Sequence, residues 1–243
     1  MLTATDFKTT FERDGYVIVE DLFTREEMVQ AKEETRNVLA RVRAKAPPGR
    51  APKDSGVFVG LTLNSAYFKG LNADPRLVDV LEQIVGPNLE FWSDKIVYKS
   101  AGVDFGSPWH QDWTYWKGAA KFSVWIALDD ATPENGCLKF IPGSHKKHFH
   151  HGGSDTEGIG FGNRLRPEDV DESQAVVTPA RAGTAVFFHD LTLHSSFQNK
   201  SGKDRWALIS TFRDASQDDL AYDFAKAAFM VRGVRTGKDL PPA

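Results

Sequence analysis

The stretch Ser107-Pro-Trp-His-Gln-Asp-Trp-Thr-Tyr-Trp116 sets a histidine, His110, and a carboxylate, Asp112, two positions apart beside a cluster of aromatic residues. In an extended backbone, residues two apart project to the same face, so the imidazole and the carboxylate converge on one point. One nitrogen and one oxygen donor make half a metal site. The other half is expected from a histidine far along the chain. Two histidines and one carboxylate on one face of Fe(II) leave three positions open for a cosubstrate and dioxygen. A His-x-Asp triplet is common by chance, so this reading needs support from elsewhere in the sequence.

That support comes from Gly183 to Phe212. An apolar strand and a turn lead to His194, Ser196 follows two residues later on the same face, and Arg205 opens the next strand as its partner. A histidine, a hydroxyl and a guanidinium then lie in line at one mouth of a barrel. The planar guanidinium binds both oxygens of a carboxylate, so a small dicarboxylate can chelate a metal with one end and meet Arg205 with the other.

Around these stretches, turn-separated short segments read as the strands of an all-β barrel or sandwich: 89–92, 95–98, 122–128, 137–141, 175–178, 185–188 and 206–212. Asn135-Gly136 and Ala182-Gly183-Thr184 read as tight hairpin turns. The chain before Leu89 reads as mostly helical. A short helix capped by Thr5 stops at Gly15, and the strand Tyr16 to Val19 follows. A long helix opens on the capping-box pair Thr24 and Glu27 and runs to about Ala46, and another is bracketed by Asp74, Pro75 and Gly86. Residues 47–56 have the proline and glycine content of a mobile loop, and 142–173 form a long irregular stretch. Asp219 to Met230 reads as a C-terminal helix before a loose tail. The expected organisation is one domain over 1–243: a helical part to about 88, a β core over 89–213, and a C-terminal helix and tail over 214–243.

Composition narrows the classes. The 243 residues carry a formal net charge of -3 without a basic face, which gives no footprint for nucleic acid or an acidic membrane. No apolar run is long enough to span a bilayer, and the first residues lack the order of a signal peptide, so a soluble, cytoplasmic protein is expected. Cys137 is the single cysteine, which excludes an intrachain disulfide and multi-thiolate metal sites.

The quoted motifs, with Trp125-Ile-Ala-Leu, Asn135-Gly-Cys-Leu, Ile141-Pro-Gly-Ser-His-Lys146 and His194-Ser-Ser-Phe-Gln-Asn, resemble in order and spacing the phytanoyl-CoA dioxygenase family of Fe(II)/2-oxoglutarate oxygenases. The resemblance implies a mainly β fold with flanking helices, a double-stranded β-helix of the cupin-like jelly-roll type. It implies His110, Asp112 and His194 as iron ligands, and Arg205 and Ser196 as the holders of the distal carboxylate of 2-oxoglutarate, with Trp125 lining the same pocket. In some relatives a lysine from the loop before the core strands contributes to this pocket, and Lys53 sits about where it would fall. The implied reaction consumes 2-oxoglutarate and dioxygen, releases succinate and CO2, and hydroxylates a small organic molecule. Retention of Asp112 favours hydroxylation, desaturation or cyclisation over halogenation.

Competing readings exist for many of these residues. His189 precedes His194 but lacks its offset to Ser196 and Arg205, so it reads as structural or as support for the ligands. His145, His148, His150 and His151 suggest another metal site, but as an unpatterned His-rich loop they read more readily as solvent-exposed. Trp113, Tyr115 and Trp116 are expected to supply at least one substrate-facing ring, whereas Trp109 is ambiguous; Lys95 and Lys99 would attract an anionic substrate if they pointed inward, but read more readily as exposed lysines on a strand. Arg41, Arg43, Lys45, Arg50 and Lys53 fit either a basic entrance for a CoA substrate or a solvated helix end. Two other functional classes remain open: a non-catalytic cupin-like binding protein, and a zinc hydrolase using the same three ligands.

Overall fold

The N-terminal helix α1 (Ala4–Asp14) stops at Gly15, whose φ of 82° suits glycine and whose N–H caps the Phe11 carbonyl. A Cβ at Gly15 would sit 2.4 Å from His145 Nδ1, so the turn also permits close packing. In the computed structural model, which describes residues 4–46, 56–100, 105–152, 164–222 and 225–241, this turn feeds β1 (Tyr16–Val19).

Helix α2 (Arg25–Lys45) opens on a complete capping box: Thr24 Oγ1 accepts from the Glu27 N–H at 3.2 Å, and the Thr24 N–H donates to Glu27 Oε2 at 2.7 Å. Met28, Ala31, Thr35, Val38 and Leu39 form its buried stripe. Strand β2 (Val57–Val59) and the short helices α3 (Leu61–Asn64) and α4 (Ala66–Asn72) lead to α5 (Pro75–Val85), capped by Asp74 with proline at its first position. The β core comprises β3 (Leu89–Lys99), the short helix α6 (Trp113–Trp116), β4 (Lys121–Ala127), β5 (Leu138–Phe140), β6 (Val176–Thr178), β7 (Ala185–His189), β8 (His194–Ser196) and β9 (Arg205–Asp214). Three short strands follow, β10 (Asp219–Leu220), β11 (Phe229–Arg232) and β12 (Asp239–Leu240).

The larger sheet runs β1-β7-β4-β9-β3-β11, with β2 sharing the β11 edge of β3, and its neighbours are antiparallel. The smaller sheet, β6-β5-β8, is also antiparallel. The two sheets form a jelly roll. One apolar cluster packs α2 and α5 on the outer face of the larger sheet through Met28, Val38, Leu77, Leu81, Phe91 and Leu208. A second, containing Trp125, Leu138, Phe140, Val186 and Phe188, lies between the sheets. The central strands of the larger sheet are thus covered on both faces, while the edge strand β2 is exposed, and part of the inner face is left open as a cavity.

Several expectations are corrected. The two strands expected at 89–92 and 95–98 are one, bent by a register shift between Phe91 and Ser93. The turns at Asn135-Gly136 and Ala182-Gly183-Thr184 do not close hairpins, because β4 and β5, like β6 and β7, belong to different sheets. For the same reason β8 and β9 are not partners: His194 and Arg205 face each other from opposite sheets. The C-terminal helix does not form. Its alanines favour a helix, but Phe229 pairs with Phe91 on the edge of β3 and packs on that ring at 5.1 Å, burying apolar surface a solvated helix would leave exposed.

Candidate metal centre

His194 opens β8 after a turn pinned to α1 by Thr192, whose hydroxyl donates to the Gly15 carbonyl at 2.8 Å. His110 sits opposite it as a bridge: each backbone N–H donates to the other's carbonyl, at 3.1 and 3.2 Å. Asp112 is not extended, as the His-x-Asp reading expects. Its φ of -62° and ψ of -29° are helical, and its carbonyl accepts the first turn of α6 from the Tyr115 N–H at 3.0 Å. The donors converge all the same. One ligand atom from each of His110, Asp112 and His194 lies within 4.8 Å of the other two, and all three residues are buried.

The hydrogen bonds fix which nitrogens face the centre. His110 Nδ1 donates to the Pro108 carbonyl at 2.7 Å and His194 Nδ1 to the Thr192 carbonyl at 2.9 Å. Both Nε2 atoms thereby turn toward Asp112 Oδ1, at 3.5 Å from His110 and 3.8 Å from His194. Burial, reinforced by the neighbouring His110, pushes the His194 imidazole down to about 4, so at neutral pH it keeps its lone pair. Burial opposes ionisation of Asp112, but His194, Lys95 and His110 outweigh it and hold the carboxyl below its ordinary range. Two imidazoles and one carboxylate, gathered on one side of a cavity, fit a divalent iron with open positions. Ser123 supports the set by donating to Asp112 Oδ2 at 3.4 Å.

The cavity of about 510 Å³ behind these donors is lined by both sheets. At its inner end Arg205 is 1% exposed; Nη2 donates to the Gly136 carbonyl at 3.1 Å, while Nε and Nη1 have no partner among the described residues. Burial draws the guanidinium down to about 10, which leaves it charged at neutral pH. Its face lies 5.7 Å from the Trp125 ring centroid. Ser196 Oγ accepts from Lys99 Nζ at 2.9 Å and from the Ser107 N–H at 3.0 Å. A buried guanidinium with two N–H groups left free among the described residues, beside a lysine and a hydroxyl, has the chemistry to receive a carboxylate.

Trp125, Ser196, Arg205, Tyr115 and Trp116 therefore share the cavity with the donor triad. Trp113 does not: its ring packs at 4.5 Å on His148 and its Nε1 donates to the Gly118 carbonyl, because the helical turn after Asp112 swings it away. Trp109 lies in a separate apolar cluster with Leu193 and donates to Glu172. His189 packs on Phe11 and Phe122. Lys53 lies outside the described residues, as does Arg50. Among the described residues the triad is the one group of donors close enough to hold a metal.

Sequence reasoning missed two features. The first is Lys99, which is fully buried against Ser196 rather than exposed. Alternation on β3 separates Lys95, Val97 and Lys99 from Ile96 and Tyr98, but does not say that the lysine side is the barrel interior. The second is Gln111, whose amide joins three segments: it donates to the Lys147 and Leu191 carbonyls at 2.8 and 2.6 Å and accepts from the Phe149 N–H at 2.9 Å.

Comparison with known proteins agrees with this geometry. The family model described as "Phytanoyl-CoA dioxygenase (PhyH)" matches residues 11–207. A phytanoyl-CoA dioxygenase domain-containing protein 1 homolog of Caenorhabditis briggsae is 26% identical, over 84% of this chain and 88% of its own. An ectoine dioxygenase of Stutzerimonas stutzeri is 28% identical, over 81% of this chain and 72% of its own. Among solved structures, EvdO2 from Micromonospora carbonacea, complexed with 2-oxoglutarate, superposes with a TM-score of 0.66 at 25% identity, covering 87% of this chain and 91% of that one. The fold, the buried donor triad and the family match together place the chain in the phytanoyl-CoA dioxygenase family of Fe(II)- and 2-oxoglutarate-dependent oxygenases.

Proposed function

We propose that the chain works as one dioxygenase domain in which His110, Asp112 and His194 hold Fe(II), Arg205, Ser196 and Lys99 bind the distal carboxylate of 2-oxoglutarate, and a small organic molecule is hydroxylated beside them. The observation that carries this reading is the pair of unpartnered Arg205 N–H donors in the cavity that holds the triad. Fe(II) chelated by a 2-oxo acid supplies the activation of dioxygen that closed-shell carbon does not undergo unaided. The protein supplies position and enclosure. Arg205 and Lys99 fix the cosubstrate at one end, and Trp125 packs the wall there. At the other end Trp92, Tyr115 and Trp116 exclude water and present apolar surface to a substrate.

A cavity of about 510 Å³ holds the cosubstrate and a small molecule together, so of a CoA thioester only the reacting end would be enclosed. No helix among the described residues is long and apolar enough to cross a membrane, and Cys137 is a free, buried thiol. Both features are compatible with a cytoplasmic setting, which belongs to the proposal. The test is succinate formation from 2-oxoglutarate with a panel of small substrates. Turnover that needs Fe(II), is not supported by zinc and is lost in His194→Ala supports the reading, whereas turnover that survives His194→Ala contradicts it.

A further inference from the structure

Lys95 is half-buried in the cavity wall, one alternation from Val97 and two from Lys99 on the same face of β3. Four residues of strand separate the two ammonium-bearing positions by roughly 13 Å, which puts Lys99 at the Arg205 end and Lys95 at the opposite end. Among the described residues Lys95 makes no hydrogen bond or ion pair, although it lies close enough to act electrostatically on Asp112 and His194. The neighbouring acid Asp94 is only partly engaged: Oδ2 accepts from the Thr62 hydroxyl at 2.6 Å and from the Thr62 N–H at 3.0 Å, while Oδ1 makes no hydrogen bond among the described residues.

Charge balance in the loaded site sharpens the point. A divalent ion is neutralised by Asp112 and the proximal carboxylate of 2-oxoglutarate. The distal carboxylate would answer only one of the two cations Arg205 and Lys99, so Lys95 adds positive charge for which the cavity wall offers only Asp94, itself held by Thr62. An ammonium held inside a largely apolar cavity is favourable only with a counterion or water at hand. The lining at this end comprises Trp92, Tyr115, Trp116, Val97 and Ile209, with Ser93, Asp94 and Thr211 as its polar residues outside the donor triad.

Resting on the iron and 2-oxoglutarate reading above, we infer that the substrate is a small oxyanion, a carboxylate or phosphonate, whose charged end is held by Lys95 and whose apolar, ring-bearing body lies against Trp92, Tyr115 and Trp116. Lys95 thus selects the substrate and sets which carbon is presented to the centre, while Arg205 and Lys99 select the cosubstrate.

The test is anaerobic titration calorimetry of the protein saturated with Fe(II) and 2-oxoglutarate, using phenylacetate, hydrocinnamate, cinnamate and benzylphosphonate, with the primary amides of the three carboxylates as neutral partners. Wild type and Lys95→Met are compared, with Lys95→Arg to show that charge at this position suffices. In wild type at least one anion should bind tighter than its amide by about tenfold or more, as expected for a hydrogen bond between charged groups. The ratio should fall to near one in Lys95→Met and recover in Lys95→Arg. The inference is overturned if no member of the set binds, if anion and amide bind alike in wild type, or if the preference persists in Lys95→Met. Binding of 2-oxoglutarate is measured in the same samples. Its absence from wild type sinks the underlying iron and cosubstrate reading, whereas its presence without an anion preference sinks only the assignment of Lys95.

Discussion

Arg205 carries more of the functional argument than any other single residue, because a buried guanidinium with unpartnered N–H groups costs stability unless something answers it. Arg205→Met should therefore leave the ligand-free protein as stable as wild type or slightly more so, while weakening 2-oxoglutarate binding about a hundredfold or more. Thermal denaturation and calorimetry read the two effects separately. Gln111 acts on the donors through geometry, since its amide ties the segment carrying His110 and Asp112 to the turn before His194. Gln111→Ala should lower Fe(II) affinity by about 10–100-fold without removing a ligand, measured by metal titration. That His110, Asp112, His194 and Arg205 meet in one cavity was legible in the sequence from the order and spacing of the motifs that carry them. Lys99 was not, because alternation divides a strand into two faces without naming the inner one. Trp113 was misplaced because a helical turn advances side chains by about 100° per residue, not the 180° of a strand.

At the scale of elements, local signals held where they were self-contained. The capping box of α2 is one such signal, and Thr24→Ala should cost about 1 kcal/mol in denaturant unfolding. Glu27 in that box also meets Arg76 at 2.7 Å, and the Arg76 hydrogen bonds, with the Thr24 N–H, hold its carboxyl down to about 2. A carboxylate depressed in the folded state stabilises above its unfolded value near 4.5 and loses that contribution as pH falls toward 2. Thr24→Ala retains the Arg76 pair, whereas Glu27→Gln should flatten the acid side of the stability profile over that window, by a modest amount because the pair is partly exposed. The C-terminal segment shows where local signals fail. Arg213 on β9 is buried between Glu90, at 2.7 Å, and Asp219, at 2.8 Å, and Lys121 meets Asp219 at 2.6 Å. These pairings span more than a hundred residues of sequence in part, so no window around Asp219 reveals them. Arg213→Ala should cost about 3–5 kcal/mol by leaving its carboxylate partners uncompensated, measured by chemical denaturation.

Over the whole molecule, the jelly roll brings two sheets together so that His110 and His194 at one sheet's edge face Arg205 and Lys99 on the other. The fold class was legible from strand spacing and motif order. Which strands share a sheet was not, because short connections such as Thr132 to Gly136 cross between sheets as readily as they close hairpins. The arrangement makes one chemical demand: a dicarboxylate must reach the triad with one end while Arg205 holds the other. The direct test is anaerobic visible absorption of the metal-free protein as Fe(II) and then 2-oxoglutarate are added. A charge-transfer band should appear only after both additions, weaken in Arg205→Ala and vanish in His194→Ala. Absence of the band from wild type with Fe(II) demonstrably bound, or full retention of it in Arg205→Ala, would contradict the account.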